Sequence, residues 1–175
     1  MLLTLLAALF CFIDRNCLTI GNAWGMEWER YDIEEGRDGL SYEFCSEGPK
    51  GWIRKTVKFQ HRPEVGPNVY NLVLSDFEER TDLADDSAVS NNGDYKKVLL
   101  SVAEIAEKFL NLHPRAIISI RGLTASRSRL FQMGISSAWL EISERYDIWG
   151  RQANKWSSFE KGVNYEEFLV FKKIP

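Results

Sequence analysis

Arg121, Arg127 and Arg129 flank Gly122 and a helix start in the stretch AIISIRGLTASRSRLFQMG, residues 116–134. The chemistry this suggests is anion binding. The first turn of a helix presents unpaired N–H groups and the positive end of the peptide dipole, and nearby guanidinium groups add charge-assisted donors. Ala116 to Ile120 reads as a strand buried on both faces, Gly122 ends it, and Thr124 or Ser126 is placed to cap a following helix. A phosphate would then meet backbone N–H groups near Thr124 and Ser126, with Arg121 or Lys161 close by. Residues two apart on a helix point about 200° apart, so only one of Arg127 and Arg129 faces such a ligand. The alternative is that both arginines pair with surface carboxylates or lay their stems along Trp139 and Tyr146.

Other chemistries find less support. The body of the chain has only His61 and His113, with no HExxH pattern, no paired cysteines and no GxSxG elbow, so neither a metal nor a catalytic residue is assigned, and no cofactor is expected. Asp76, Glu78, Glu79, Asp82, Asp85 and Asp86 crowd one stretch, but without the alternation and fixed glycine of a calcium loop they read as a solvated acidic loop. The net charge of −3 argues against a general nucleic-acid coat and leaves room for a local basic face.

The elements that must position the arginines follow from periodicity. SYEFCSE and WIRKTVKFQ flank Gly48-Pro49-Lys50-Gly51, a hairpin whose second arm alternates Ile53, Val57 and Phe59 with Arg54, Thr56 and Lys58, while Lys55 interrupts the apolar face. A third strand spans about Val69 to Leu74. In YKKVLLSVAEIAEKFLNL, Val98, Val102, Ile105 and Phe109 mark a buried helical stripe, with Asp94 the expected cap and Pro114 the stop. After Gly134 a second helical segment is expected, capped by Ser136, stapled by Ile135 and Leu140, and running to about Tyr146. Trp149, Trp156, Phe159, Tyr165 and Phe168 then crowd together among Arg151, Lys155 and Lys161, a composition that closes a core or stacks on bases. EEFLVFKK is the last strand, placed beside the central one. The expected architecture is a single α+β domain, a mostly antiparallel sheet with two main helices in the order β-β-β-α-β-α-β.

The apolar start MLLTLLAALFCFI is short of the ~20 residues a membrane-spanning helix needs, and it lacks the basic start of a secretory signal. Residues 1–25 therefore read as a leader outside the fold, with Met26 the alternative start and 26–175 the domain. Cys11 and Cys17 fall in that leader, so Cys45 stands alone as a small core residue, which suits a reducing, cytoplasmic setting.

EGPKG, VSNNGD, GLTASRSRLFQMGI and FEKGVNYEEFLV together resemble an uncharacterised family of small bacterial proteins classed as a domain of unknown function, over Tyr31 to Lys173. That resemblance implies a bacterial protein of one domain, with no reaction to carry over. It fits a binding or interaction protein for a phosphate-bearing or nucleic-acid ligand, or one half of a toxin–antitoxin pair or a defence accessory with a small partner encoded nearby. The element order is also similar to the core of the GNAT acyltransferases. That family holds acetyl-CoA in a glycine-rich phosphate loop, where this chain has Asn91, Asn92 and Gly93 behind acidic residues.

Overall fold

Alternating side chains build the sheet first. The computed structural model describes residues 30–77, 84–85, 92–122, 125–137 and 139–173, apart from the side chains at 84, 85, 96, 125–127, 130, 134, 137 and 141. In β2 (Ser41–Gly48) Tyr42, Phe44 and Ser46 are buried, and in β3 (Gly51–His61) so are Val57 and Phe59. Pairing of Gly48 with Gly51 leaves Pro49 and Lys50 as the turn, and Gly51 takes φ +87°, which a side chain would resist. β3 pairs antiparallel with β4 (Val69–Phe77), and the two-residue strands β1 (Glu34–Glu35) and β5 (Ala84–Asp85) add to β2 and β4.

Helix α1 (Tyr95–Leu112) returns the chain for a parallel strand, as parallel pairing requires. Its stripe, Val98, Val102, Ile105 and Phe109, is buried as the spacing implied. The Phe109 ring stacks on Phe59 with centroids 3.8 Å apart and meets Tyr70 edge-on at 5.3 Å, so truncation to alanine would cost about 3–5 kcal/mol. Central strand β6 (Ile117–Arg121) lies parallel to β4 on one side and antiparallel to β9 (Glu167–Lys172) on the other. α2 (Ala125–Ser137) and α3 (Trp139–Arg145) lead into the hairpin β7 (Tyr146–Gln152) and β8 (Lys155–Ser158), and β7 pairs with β9. The result is one α+β domain with a mostly antiparallel nine-stranded sheet in the order β1-β2-β3-β4-β6-β9-β7-β8, β5 lying off β4.

The described helices share one face of the sheet. α1 packs with Tyr42, Phe44, Val57, Phe59 and Ile118, while Phe131, Ile135, Trp139 and Ile142 of α2 and α3 pack with Ile148 and Phe168. That face also buries Lys55, whose ammonium pairs with Asp76 across β3 and β4; the residue that interrupts the apolar alternation is matched by a carboxylate on the next strand. No helix among the described residues is long and apolar enough to cross a membrane.

Several expectations change. Asp76 belongs to β4 and Asp85 to β5, while Glu78, Glu79, Asp82 and Asp86 lie outside the described residues, as do residues 1–29 and hence the leader. Asp94 stands at the cap of α1 without capping it, because its carboxylate instead accepts from the Ser46 hydroxyl at 2.6 Å and the Tyr31 hydroxyl at 2.7 Å. Cys45 is exposed, since the alternation that turns Phe44 and Ser46 inward turns it out. The helix does not break at Gly134 or restart at Ser136. α2 continues through both because Ile135 is buried against the core, and Leu140, at 79 % exposure, forms no staple. Tyr146 opens a strand, and the aromatic stretch after it forms the β7–β8 hairpin, to which periodicity assigns no element.

Candidate anion-binding site and the Glu167 cluster

β4 and β6 run side by side only at Val69–Asn71 and Ile117–Ser119. Asp76 of β4 pairs with Lys55 of β3 on one side, so β5, which also pairs there, must lie on the side of β6. Between these contacts, Leu72 to Ser75 have no strand partner toward β6 among the described residues, so the two parallel strands part toward their carboxyl ends. β6 ends at Arg121 beside it, and α2 begins four residues later.

The residues singled out from sequence divide as follows. Arg121 is exposed and Gly122 half-buried. Thr124 lies outside the described residues, Ser126 is the second residue of α2 rather than its cap, and the side chains of Ser126 and Arg127 are likewise not described. Arg129 and Lys161 are exposed, and no bond joins Arg121, Arg129 and Lys161 to one another among the described residues. Polar groups that drew no notice from the sequence fix the helix. The Ser128 hydroxyl donates to the Glu166 carbonyl at 3.3 Å, and Gln132 donates to the Val163 carbonyl while accepting from the Tyr165 N–H at 3.2 Å. The start of α2 is thereby latched to the segment between Lys161 and β9.

Next to it lies a cluster that sequence reasoning missed. Glu167, 3 % exposed, accepts from the Ser119 hydroxyl at 2.6 Å and pairs with Arg62 and Arg151, each at 2.9 Å. A carboxylate so enclosed is held by charge-assisted bonds from both guanidinium groups. Arg62 also bonds Glu64 at 2.8 Å, and that bond, followed by the nearness of Glu167, raises its already high pKa. Arg151 lies over the Trp156 ring at 5.8 Å, while its Nε is buried without a partner among the described residues. The only available signal was a glutamate inside the apolar alternation of EEFLVFKK; Arg62 stands 105 residues away in the chain and no spacing links them. The His61 ring N–H donates to the Pro67 carbonyl at 2.9 Å, and no group of metal ligands occurs among the described residues.

Residues 27–173 match the model of a family described as of unknown function, DUF6934. The chain belongs to that family. No curated protein and no solved structure matches the chain. The match to DUF6934 spans every element from β1 to β9, so the parting of β4 and β6 and the Glu167 cluster both lie within the family's domain.

Proposed function

We propose that this DUF6934 chain is a bacterial, cytoplasmic binding protein for a phosphate-bearing ligand, a nucleotide or nucleic acid, taken where β4 and β6 part. The observation that supports this reading is that parting itself. Among the described residues it leaves strand backbone unpaired beside Arg121, at the same end of the sheet as the start of α2, whose first N–H groups have no helical acceptor. The ligand's phosphate meets the backbone near Thr124 and Ser126, one of Arg127 and Arg129 pairs with it, and Arg121 or Lys161 completes the field. Titration of wild type, Arg127→Gln and Arg129→Gln with inorganic phosphate, ATP and short oligonucleotides tests this. One arginine variant should lose about tenfold to a hundredfold in affinity and the other little, as expected for one charge-assisted pair. Equal behaviour of both variants refutes it.

A second reading, an acyl-CoA-dependent acyltransferase, draws on the same parting of parallel strands together with the GNAT-like element order. Against it, the start of α1 is pinned to the β2–β3 hairpin. Asn92 accepts from Lys50 N–H at 2.9 Å and donates to Ser46 and the Gly51 carbonyl, and the Asp94 carboxylate stands where a pyrophosphate would go. Stabilisation by acetyl-CoA and not by ATP would favour the transferase. If none of these ligands binds, a protein-interaction role takes over, in a toxin–antitoxin pair or a defence system, and a small partner encoded nearby should co-purify.

A further inference from the structure

The sheet face opposite the helices carries no helix among the described residues, and its side chains are assigned by register. One row crosses four strands, Trp156 of β8, Arg151 of β7, Glu167 of β9 and Arg121 of β6, each paired with the next. The adjacent row runs Ser158, Trp149, Leu169, Ser119, Asn71 and Gln60 across β8, β7, β9, β6, β4 and β3. Paired residues share a face, so Trp149 and Trp156 stand diagonally, within about 7–8 Å of one another. Trp149 is 41 % exposed and Trp156 half-buried, an unusual placement for two large rings when Phe159, Tyr165 and Phe168 of the same stretch close the core. Ser158 pairs with Trp149, and farther along the same face lie Arg121 of β6, exposed and without an ion-pair partner among the described residues, Asn71 of β4 and Gln60 of β3.

We infer that single-stranded nucleic acid lies across this face, with bases stacked on Trp149 and Trp156 and its backbone led by Arg121 toward the start of α2. The inference rests on the phosphate-binding reading and names its ligand. Partly exposed rings stack on bases of any sequence, an arginine held over one of them stiffens the platform, and amides and hydroxyls address base edges that a duplex would hide. A protein partner would instead call for a contiguous apolar patch. Here the second row holds two apolar residues, Trp149 and Leu169, among four polar ones, and the first carries two arginines, Arg121 and Arg151.

The test uses the full chain, labelled eight-nucleotide RNA and DNA single strands, and the DNA duplex of the same sequence, followed by fluorescence anisotropy at about 50 and 200 mM salt, where phosphate contacts weaken. Single strands should bind more tightly than duplex, and Trp149→Ala with Trp156→Ala should weaken them at least about fivefold per lost stack, while ATP and phosphate binding stays at the wild-type level. Trp149→Phe, which keeps an aromatic face, should retain most of the binding and guards against a folding defect. If wild type binds ATP or phosphate but no oligonucleotide, or if duplex binds as well as single strand, this inference falls and the phosphate reading stands. If wild type binds none of them, both fall. Unchanged oligonucleotide affinity in the double tryptophan variant also overturns the inference.

Discussion

Replacing Glu167 by alanine should unlock the sheet from the side away from the helices. The carboxylate is 3 % exposed and joins the Ser119 hydroxyl of β6, Arg151 of β7 and Arg62 just beyond β3, so one side chain on β9 ties together segments from the length of the domain. Removing one partner of a fully buried ion pair costs about 3–5 kcal/mol, because the remaining charge stays buried and uncompensated. Here the two arginines are only partly enclosed, at 31 % and 22 % side-chain exposure, and they keep Glu64 at 2.8 Å and Glu166 at 4.0 Å. The loss should therefore be smaller, about 2–4 kcal/mol, with Glu167→Gln milder because an amide oxygen still accepts from Ser119. At about 2–4 °C per kcal/mol for a domain of this size, the alanine variant should melt roughly 5–15 °C lower. Urea unfolding by circular dichroism gives the free energy directly, and a cycle with Arg151→Met isolates the pair. A loss under about 1 kcal/mol for Glu167→Ala would show that water satisfies these guanidinium groups equally well, and the reasoning would be wrong.

Two further expectations concern turns. Ala153 and Asn154 make the β7–β8 turn with φ of 47° and 62°, a conformation asparagine tolerates and alanine does not, so Ala153→Gly should stabilise the domain by about 0.5–1 kcal/mol; an unchanged or lower melting point would count against strain there. Asp38 accepts from the Ser41 hydroxyl at 2.7 Å and from the Leu40 and Ser41 N–H groups at 3.0 Å, bonds that hold its carboxyl below the usual aspartate range, the Ser41 hydroxyl foremost. A lowered folded-state pKa stabilises fully above the ordinary value near pH 4 and is lost as pH falls through the lowered one. Asp38→Asn should thus melt below wild type at pH 6 and alongside it at pH 2, and a gap that persists at pH 2 would exclude this linkage.

Periodicity revealed what packing decides. Val98, Val102, Ile105 and Phe109 were readable as one buried stripe, and Ile117 to Ile120 as the central strand, because burial on a helix or in a sheet interior leaves a regular pattern. The β7–β8 hairpin was hidden for a local reason. Its turn is Ala153-Asn154, and alanine in a left-handed conformation gives none of the signal of an Asn-Gly pair. Gly134 and Ser136 misled in the opposite direction, since tertiary burial of Ile135 outweighs the roughly 1 kcal/mol that glycine costs a helix. The candidate site was half legible. Arg121 lies at the end of β6 and α2 begins beyond it, as the strand-glycine-helix order implied. Arg62 and Arg151 could not be found, because their association with Glu167 arises only from sheet order.

That sheet order also couples the face opposite the helices to the stability of the domain. Glu167 holds Arg151, Arg151 lies over Trp156, and Arg151 and Arg121 are the register neighbours of Glu167 on its two sides. Were the face inert, a buried glutamate between strands would be a poor choice, because apolar residues of similar volume are often as stable as a buried ion pair. A glutamate there makes sense if the guanidinium of Arg151 must be held oriented and close to a ring. The distinction is measurable in a single pair of variants. Replacing Glu167 and Arg151 together by leucine and methionine should recover much of the stability lost in Glu167→Ala, yet it should not restore oligonucleotide binding, since the cation over Trp156 is gone. Recovery of both would reduce the cluster to a fastening between strands.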